Sequence, residues 1–332
     1  MHDSANAATA PVAVIIPCYN YGRFIGSTIE TVLAQTLRPA EILIVDDGST
    51  DQTREVCEQY DGVRYIWKEN GGVSSARNLG LAESTSEYVM FPDADDVLSP
   101  KAVEILWDAN RALGGSAPAV YGSTTRFSDW QGWLDAQSSD VPIPKDVAAH
   151  TEREVAPGVY VLSRTLLERL VERNIVPQCG AMIARSVYDR IGLWDERFYY
   201  HQDRDIWIRI CSEFEIGYVN RLVAGIRVHG DNITNPKNWI RNHDEIVALL
   251  DAVIRSDWAD PYLRRLARRR YVSTSYLLGR RLAQFGEFRR AAELMWSSWV
   301  RSPLRLKAAV FHAVYSARAA AQPKRQETAD VG

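Results

Sequence analysis

Apolar residues in the first part of the chain fall into short unbroken runs separated by helical patterns. Residues 12–17 (Val-Ala-Val-Ile-Ile-Pro) are apolar at every position. That predicts a strand buried on both faces of a parallel sheet. Over residues 26–37, Ile29, Val32 and Leu33 recur at helical spacing, with Pro39 as the stop. A strand over 41–45 ends in Asp46-Asp47-Gly48-Ser49. A helix over 50–60, a strand over 63–67 and a loop entering a helix over 72–82 follow. The strand expected over 88–91 runs into Pro92-Asp93-Ala94-Asp95-Asp96, and Ser99-Pro100 opens the next helix with proline in its first turn. Strand and helix alternate throughout, the signature of an α/β, doubly wound, mostly parallel sheet.

Farther along the pattern is mixed. Strands are expected over 120–123, 181–184 and 218–228, and helices over 163–173 and 204–214. Residues 131–157 are polar and contain proline, which predicts a loop or excursion. From 238 onward every segment has helical spacing, with Gly286 as a break. The expected division is a domain over 11–236, a basic helical region over 237–322, and disordered tails over 1–10 and 323–332.

Charge sharpens that division. The 332 residues carry a net charge of −3. Residues 1–260 hold 24 Lys and Arg against 38 Asp and Glu, whereas residues 261–332 hold 15 against 4. The two parts therefore face different surroundings. Cys18, Cys57, Cys179 and Cys211 lack zinc-ligand spacing, so reduced buried thiols are expected. No signal-peptide pattern and no long apolar span are present, so a cytoplasmic protein is expected, peripheral at most to the inner face of the cell membrane.

The chemistry lies at the strand ends. Ligands of open α/β sheets bind beyond the carboxyl ends of the strands, and two of those ends carry acids. Neither a glycine-rich dinucleotide fingerprint nor a phosphate loop follows a strand, so NAD and ATP binding of the usual kinds are excluded. Asp93-Ala94-Asp95-Asp96 crowds three carboxylates, which invites a counter-charge; hard oxygen ligands suit Mg²⁺ or Mn²⁺. The plain alternative is a solvated turn capping a helix. Asp46-Asp47-Gly48-Ser49 reads equally as a turn and Asp203 as a helix cap. His229, closing a strand, is either a structural residue or a neutral imidazole ligand.

Taken in order, Ile15-Ile16-Pro17-Cys18-Tyr19-Asn20, Val45-Asp46-Asp47-Gly48-Ser49, Asn70-Gly71-Gly72 through Ala76-Arg77-Asn78, Asp93-Ala94-Asp95-Asp96, and Gln202-Asp203 with Trp207 and Arg209 resemble the glycosyltransferase family 2 proteins of GT-A fold. The resemblance covers about residues 11–230. It implies a Rossmann-like GT-A domain with a C-terminal helical appendage and an inverting, metal-assisted transfer of sugar from a nucleotide-diphosphate donor, UDP- or dTDP-linked, to a hydroxyl of a saccharide or lipid-linked acceptor. Polysaccharide or glycoconjugate assembly at a bacterial cell envelope is the implied setting. By position, Pro17, Tyr19, Asp46, Asp47, Arg77, Asp93 and Asp95 match donor-binding residues. Asp95 and His229 match metal contacts for Mn²⁺ or Mg²⁺, and Asp203 matches the catalytic base. Gln202 stands where the family has Glu, which removes a charge beside that base. Gln178, Trp194, His201 and Gln202 match the acceptor cleft, although core packing is the competing account of Trp194, as of Trp130, Trp133 and Trp207.

The tail interleaves Arg264, Arg265, Arg268, Arg269, Arg270, Arg280, Arg281, Arg289 and Arg290 with Trp296, Trp299 and Phe311. Such helices suit an anionic membrane surface; alternatively they pack on the acidic body or on a second subunit, as a homodimer would. No nucleic-acid motif accompanies the charge, so no nucleic-acid partner is expected. Competing functions are a sugar-nucleotide hydrolase or nucleotidyltransferase, and a catalytically impaired sugar-nucleotide-binding or scaffold protein.

Overall fold

The computed structural model describes residues 9–137, 141–230, 238–303 and 306–322. The chain folds as two compact units, residues 1–233 and 234–332. The boundary expected near 236 and the tail expected over 323–332 lie outside the described residues.

In the first unit, β1 (Thr9–Cys18), α1 (Gly22–Leu33), β2 (Arg38–Asp46), α2 (Thr53–Cys57), β3 (Arg64–Trp67), α3 (Val73–Glu83) and β4 (Tyr88–Met90) alternate. Then come β5 (Val97–Leu98), α4 (Ala102–Leu113), β6 (Ala119–Phe127), α5 (Trp130–Gln137), α6 (Lys145–His150), β7 (Thr151–Ala156) and β8 (Val159–Leu162). Last are α7 (Leu166–Glu172), a single 3₁₀ turn at Gln178–Gly180, β9 (Ala181–Ala184), α8 (Ser186–Ile191), α9 (Gln202–Glu213) and β10 (Ile216–Arg227). Among the described residues these strands form one ten-stranded sheet in the order β3-β2-β1-β4-β9-β6-β10-β8-β7, with β5 pairing β10 outside that path. β1, β2, β3, β4, β6, β7 and β10 run one way and β5, β8 and β9 the other, so the sheet is mixed but mostly parallel.

Alternating side chains assign the sheet's two faces. Val12, Val14 and Ile16 of β1 pack with Ile25, Ile29 and Val32 of α1 and Leu106 of α4 in the main core. On the opposite face α3 lies so close that a Cβ on Gly80 would collide with Ile15 and come within 3.1 Å of Val45. A glycine there sets how near α3, and the residues it carries, can approach the sheet.

Local chemistry corrects three sequence expectations. Thr9 and Ala10 are not tail residues: they open β1 and pair with Arg38 and Pro39, because the strand pattern extends past the apolar run. α1 ends at Leu33, and Pro39 lies inside β2 near its start, a place where a fixed φ and a missing donor are tolerated. Residues 131–157 hold all but the first residue of α5 and the whole of α6 and β7. Their low apolar content hid these elements, which show little burial: Trp133 and Val147 are the buried side chains of α5 and α6.

The second unit is helical: α10 (Trp239–Arg255), α11 (Pro261–Gln284), α12 (Phe288–Arg301) and α13 (Leu306–Ala321). Asp260 caps α11 by accepting the Leu263 N–H at 2.8 Å, with Pro261 beginning the helix. Gly286, at φ +80, breaks α11 from α12. Leu278, Leu282, Ala291, Met295, Ala308 and Tyr315 form the core. Arg290 pairs with Asp244 at 2.7 Å and Arg301 with Asp251 at 2.6 Å, so part of the basic excess is answered inside the unit. Among the described residues no helix is long and apolar enough to cross a membrane.

Candidate active site

β2, β1 and β4 are adjacent and parallel, so the acids that follow β2 and β4 emerge at one edge. The turns there are pinned to each other. Asn20, the one non-glycine residue with positive φ among those described (57°), donates its N–H to Ser49 Oγ at 2.8 Å and accepts the Thr50 N–H at 2.8 Å. Asparagine tolerates that conformation better than most residues. Thr28, a polar residue on the apolar face of α1, shares its one hydroxyl proton between the carbonyls of Ala94 and Asp96, 2.9 and 2.7 Å away, and so fixes the acidic loop.

The acids then have separate fates. Asp46 turns inward and accepts hydrogen bonds from the Ser49 N–H at 2.7 Å and from the Tyr65 hydroxyl. Expected on the donor side, Asp46 has its carboxylate bonded within the turn and is 1% exposed. Asp47 accepts the N–H groups of Gly71 and Gly72 at 2.9 and 2.7 Å and pairs with Lys68 at 2.6 Å. It thus holds the entry to α3 and is 2% exposed. Lys68 carried no sequence signal. Pro17 is buried in β1 beside Val45, and Tyr19 stands 46% exposed at the strand end.

Arg77 gathers the remaining acids. Its guanidinium donates to Asp203 at 2.7 Å and to Asp93 at 2.9 Å, and lies 4.4 Å from the centre of the Trp194 ring. The side chain is 1% exposed, whereas those of Asp93 and Asp203 are 44% and 26% exposed. Arg77, expected toward phosphate or sugar, has its guanidinium paired with two carboxylates. Asp203 lies within the first turn of α9, whose N-cap is His201; its carboxylate serves Arg77, not the helix end. Crowding by protein atoms raises the Asp93 carboxyl to about 6 against the pull of Arg77, with Asp203 and Asp95 adding to the rise. Its open surface makes that environment a recess, not an interior.

Asp95 and His229 meet although 134 residues separate them: Oδ2 and Nε2 are 2.8 Å apart, and both side chains are 11% exposed. β5 pairs with β10, and Arg227 donates its N–H to Asp96 at 3.2 Å and its Nε–H to the Asp95 carbonyl at 3.0 Å. Those contacts bring the end of β10 to the acidic loop. Asp96 itself is enclosed, and burial pushes its carboxyl well above the ordinary range. Among the described residues no group of three or more His, Cys, Asp and Glu is placed to hold a metal. Asp95 and His229 can therefore supply only part of a coordination shell.

The acceptor-cleft candidates divide. Trp194 is 2% exposed beneath Arg77 and is tied to α3, its N–H donating to Asn78 Oδ1 at 2.9 Å and its carbonyl accepting from Asn78 Nδ2 at 3.0 Å. Gln178 is buried and accepts the Trp207 indole N–H at 3.0 Å. Both side chains are enclosed by protein. His201 is half-buried; Gln202 is 8% exposed, its Oε1 enclosed without a protein partner. Trp133 and Trp207 are core residues, and Trp130 is 44% exposed. All four cysteines are buried and unbridged.

Residues 13–155 match the family model described as Glycosyl transferase family 2. An uncharacterized glycosyltransferase of Rickettsia prowazekii is 27% identical over 225 residues, which cover 68% of this chain and 66% of that relative's length. Residues 1–349 of S. aureus TarS, solved with UDP-GlcNAc, align over 95% of this chain and 93% of that one at TM-score 0.58 and 15% identity. The mannosyltransferase PcManGT of Pyrobaculum calidifontis, solved with GDP-Man and Mn²⁺, aligns over 95% and 83% at TM-score 0.51 and 17% identity.

Because Asp93 binds its proton more tightly than an ordinary carboxyl, the folded state holds a proton that the unfolded chain releases. Stability therefore falls as pH rises from about 4 to about 6. Asp93→Asn should gain on the wild type across that window in urea melts, and a constant difference between them would refute the assignment. Arg77→Met should lower stability by about 2–3 kcal/mol, toward the low end for a broken ion pair because both acids reach water.

Proposed function

We propose, from the premise that the chain belongs to glycosyl transferase family 2 and has a GT-A fold, that it moves a sugar from a nucleotide-diphosphate donor, UDP- or dTDP-linked, to a hydroxyl of a saccharide or lipid-linked acceptor with inversion. One observation carries the reading. Arg77 holds Asp203, the candidate base, and Asp93, at the end of β4, on one guanidinium.

Inversion at an anomeric carbon needs a single displacement, with nucleophile and leaving group on opposite faces. It requires a base and no protein nucleophile. Asp203 takes the proton of the attacking hydroxyl at its carboxylate, and Arg77 holds that carboxylate in place. Asp93 lies on the donor side, near the ribose, and Asp47 toward the base, with Tyr19 exposed as a flat face beside it. Asp95 and His229 fit a divalent ion: a hard carboxylate oxygen and an imidazole nitrogen side by side suit Mn²⁺ or Mg²⁺, which commonly completes its shell with phosphate oxygens and water. When bound, such an ion neutralises charge on the departing diphosphate. The relative PcManGT was solved with that pairing of nucleotide sugar and Mn²⁺.

A peripheral membrane contact is part of the proposal. Leu306, Val310 and Val314 project from α13 at 72%, 61% and 41% exposure, one turn apart, with Trp296 and Val300 of α12 also exposed. An exposed apolar stripe carrying a Trp, on a unit with a large cationic excess, suits an anionic bilayer surface.

Asp203→Asn should reduce turnover by about 10²–10⁴ while UDP titration stays within a few-fold; parallel loss of both removes the base role. Absence of turnover in the wild type with donor binding intact would identify the impaired alternative. Chelation with EDTA should stop transfer and Mn²⁺ or Mg²⁺ restore it, with Asp95→Asn needing more metal; full activity in chelator removes the ion from the scheme. Full-length protein should sediment with phosphatidylglycerol vesicles and Val310→Asp/Val314→Asp should not. Equal sedimentation of the two proteins dismisses the contact.

A further inference from the structure

One stripe of α1, beside its apolar face, is docked along its whole length. Phe24, Ser27, Thr28 and Thr31 recur at helical spacing, and Gln35 continues the line just past the helix end. Thr31 Oγ1 accepts the Leu98 N–H at 3.2 Å. Gln35 donates to the Ser99 carbonyl at 2.7 Å and accepts the Val103 N–H at 3.0 Å. Thr28 reaches the carbonyls on either side of Asp95. Ser27 Oγ accepts from the Arg227 guanidinium at 2.9 Å. The polar members of the stripe are thus bonded to the acidic loop, to the segment after it and to the end of β10. Phe24 is the aromatic member, at the end of the stripe where Asp95 and His229 meet.

Phe24 packs on His229. Their ring centres are 4.6 Å apart with planes inclined at 35°, and Tyr21 meets the same imidazole edge-on at 6.1 Å. His229 lies two residues beyond Arg227, the last of β10, so strand register alone does not orient its ring. Phe24 is itself held in place. Its N–H donates to the Tyr21 carbonyl at 2.8 Å, and its carbonyl accepts the Ser27 hydroxyl at 2.8 Å. The guanidinium groups of Arg23 and Arg227 lie 4.4 and 5.3 Å from its ring centre. The Gly22 N–H, at the helix start, is fixed on Asp51 at 2.9 Å.

Two ligands at adjacent corners of an octahedron, about 2.1 Å from the ion, stand about 3 Å apart. Asp95 Oδ2 and His229 Nε2, at 2.8 Å, are already close to that spacing. An imidazole free to turn about its side-chain bonds would lose that freedom on meeting an ion, and affinity would fall accordingly. α1 limits the freedom on both sides. Thr28 fixes the loop that carries Asp95, and Phe24, one turn away, covers the His229 ring.

We propose that Phe24 is a positioning residue for divalent-cation binding, its ring seating the His229 imidazole beside Asp95 before an ion arrives. The use of that ion against a departing diphosphate rests on the transfer reading given above; the seating of His229 does not. The test follows the EPR signal of free Mn²⁺ as five proteins are titrated with Mn²⁺ in the presence of UDP: the wild type, Phe24→Leu, Phe24→Tyr, His229→Gln and the double variant Phe24→Leu/His229→Gln. Phe24 is half-buried, and leucine fills much of its volume without a flat face. Phe24→Leu should weaken Mn²⁺ binding about tenfold, the lower end for a residue that orients a metal ligand from behind. Phe24→Tyr, which keeps the ring, should bind as the wild type does. In the His229→Gln background Phe24→Leu should change nothing further, since the two act as a unit. A general loosening of α1 would weaken both backgrounds alike, and that outcome overturns the proposal. Wild-type affinity in Phe24→Leu or in His229→Gln, equal losses in Phe24→Leu and Phe24→Tyr, or a wild type that binds no Mn²⁺ overturns it as well. Sugar transfer is assayed separately. The expected Mn²⁺ pattern in a wild type without turnover removes the transfer reading and leaves the seating of His229 standing.

Discussion

A guanidinium removed from water must be met by charge and hydrogen bonds, or the fold that encloses it does not persist. Arg77 is enclosed almost completely, and what meets it organises the site: Asp93 from the end of β4, Asp203 from the first turn of α9, and the Trp194 ring beneath. Asn78, the next residue on α3, joins the Trp194 backbone through both its amide atoms. Elements more than a hundred residues apart are thereby clamped at the point where chemistry is proposed. The close seat of α3 on β1, which Gly80 permits, sets the height of that clamp above the sheet.

Environment, not residue type, separates the acids. Asp46 and Asp96 are consumed within the protein, one by a turn and a tyrosine, the other by the backbone that leads to His229. Asp93 and Asp203 share Arg77 and keep some exposure, and Asp95 reaches His229. A carboxylate answered on one side by a fixed cation or imidazole and open on the other can accept a ligand without reorganising its neighbours. The same division explains the beginning of the site. Asp47 stabilises the turn into α3 through two backbone N–H groups, and Asn20 binds the β1 and β2 turns together, so the exposed Tyr19 projects from a rigid edge.

The sequence was enough for the order of the elements from β1 through β4, because buried parallel strands and amphipathic helices leave different periodicities. It was also enough to place acids at two strand ends and to recognise a family in their order. It failed where burial was shallow: α5, α6 and β7 carry few apolar residues and gave no period to read. Only the tertiary structure decided which acids stay exposed, that Arg77 pairs with two carboxylates, and that Asp95 meets His229. Each is a contact between residues distant in the chain, fixed by strand register and by how closely helices approach the sheet, and neither quantity is carried by local pattern.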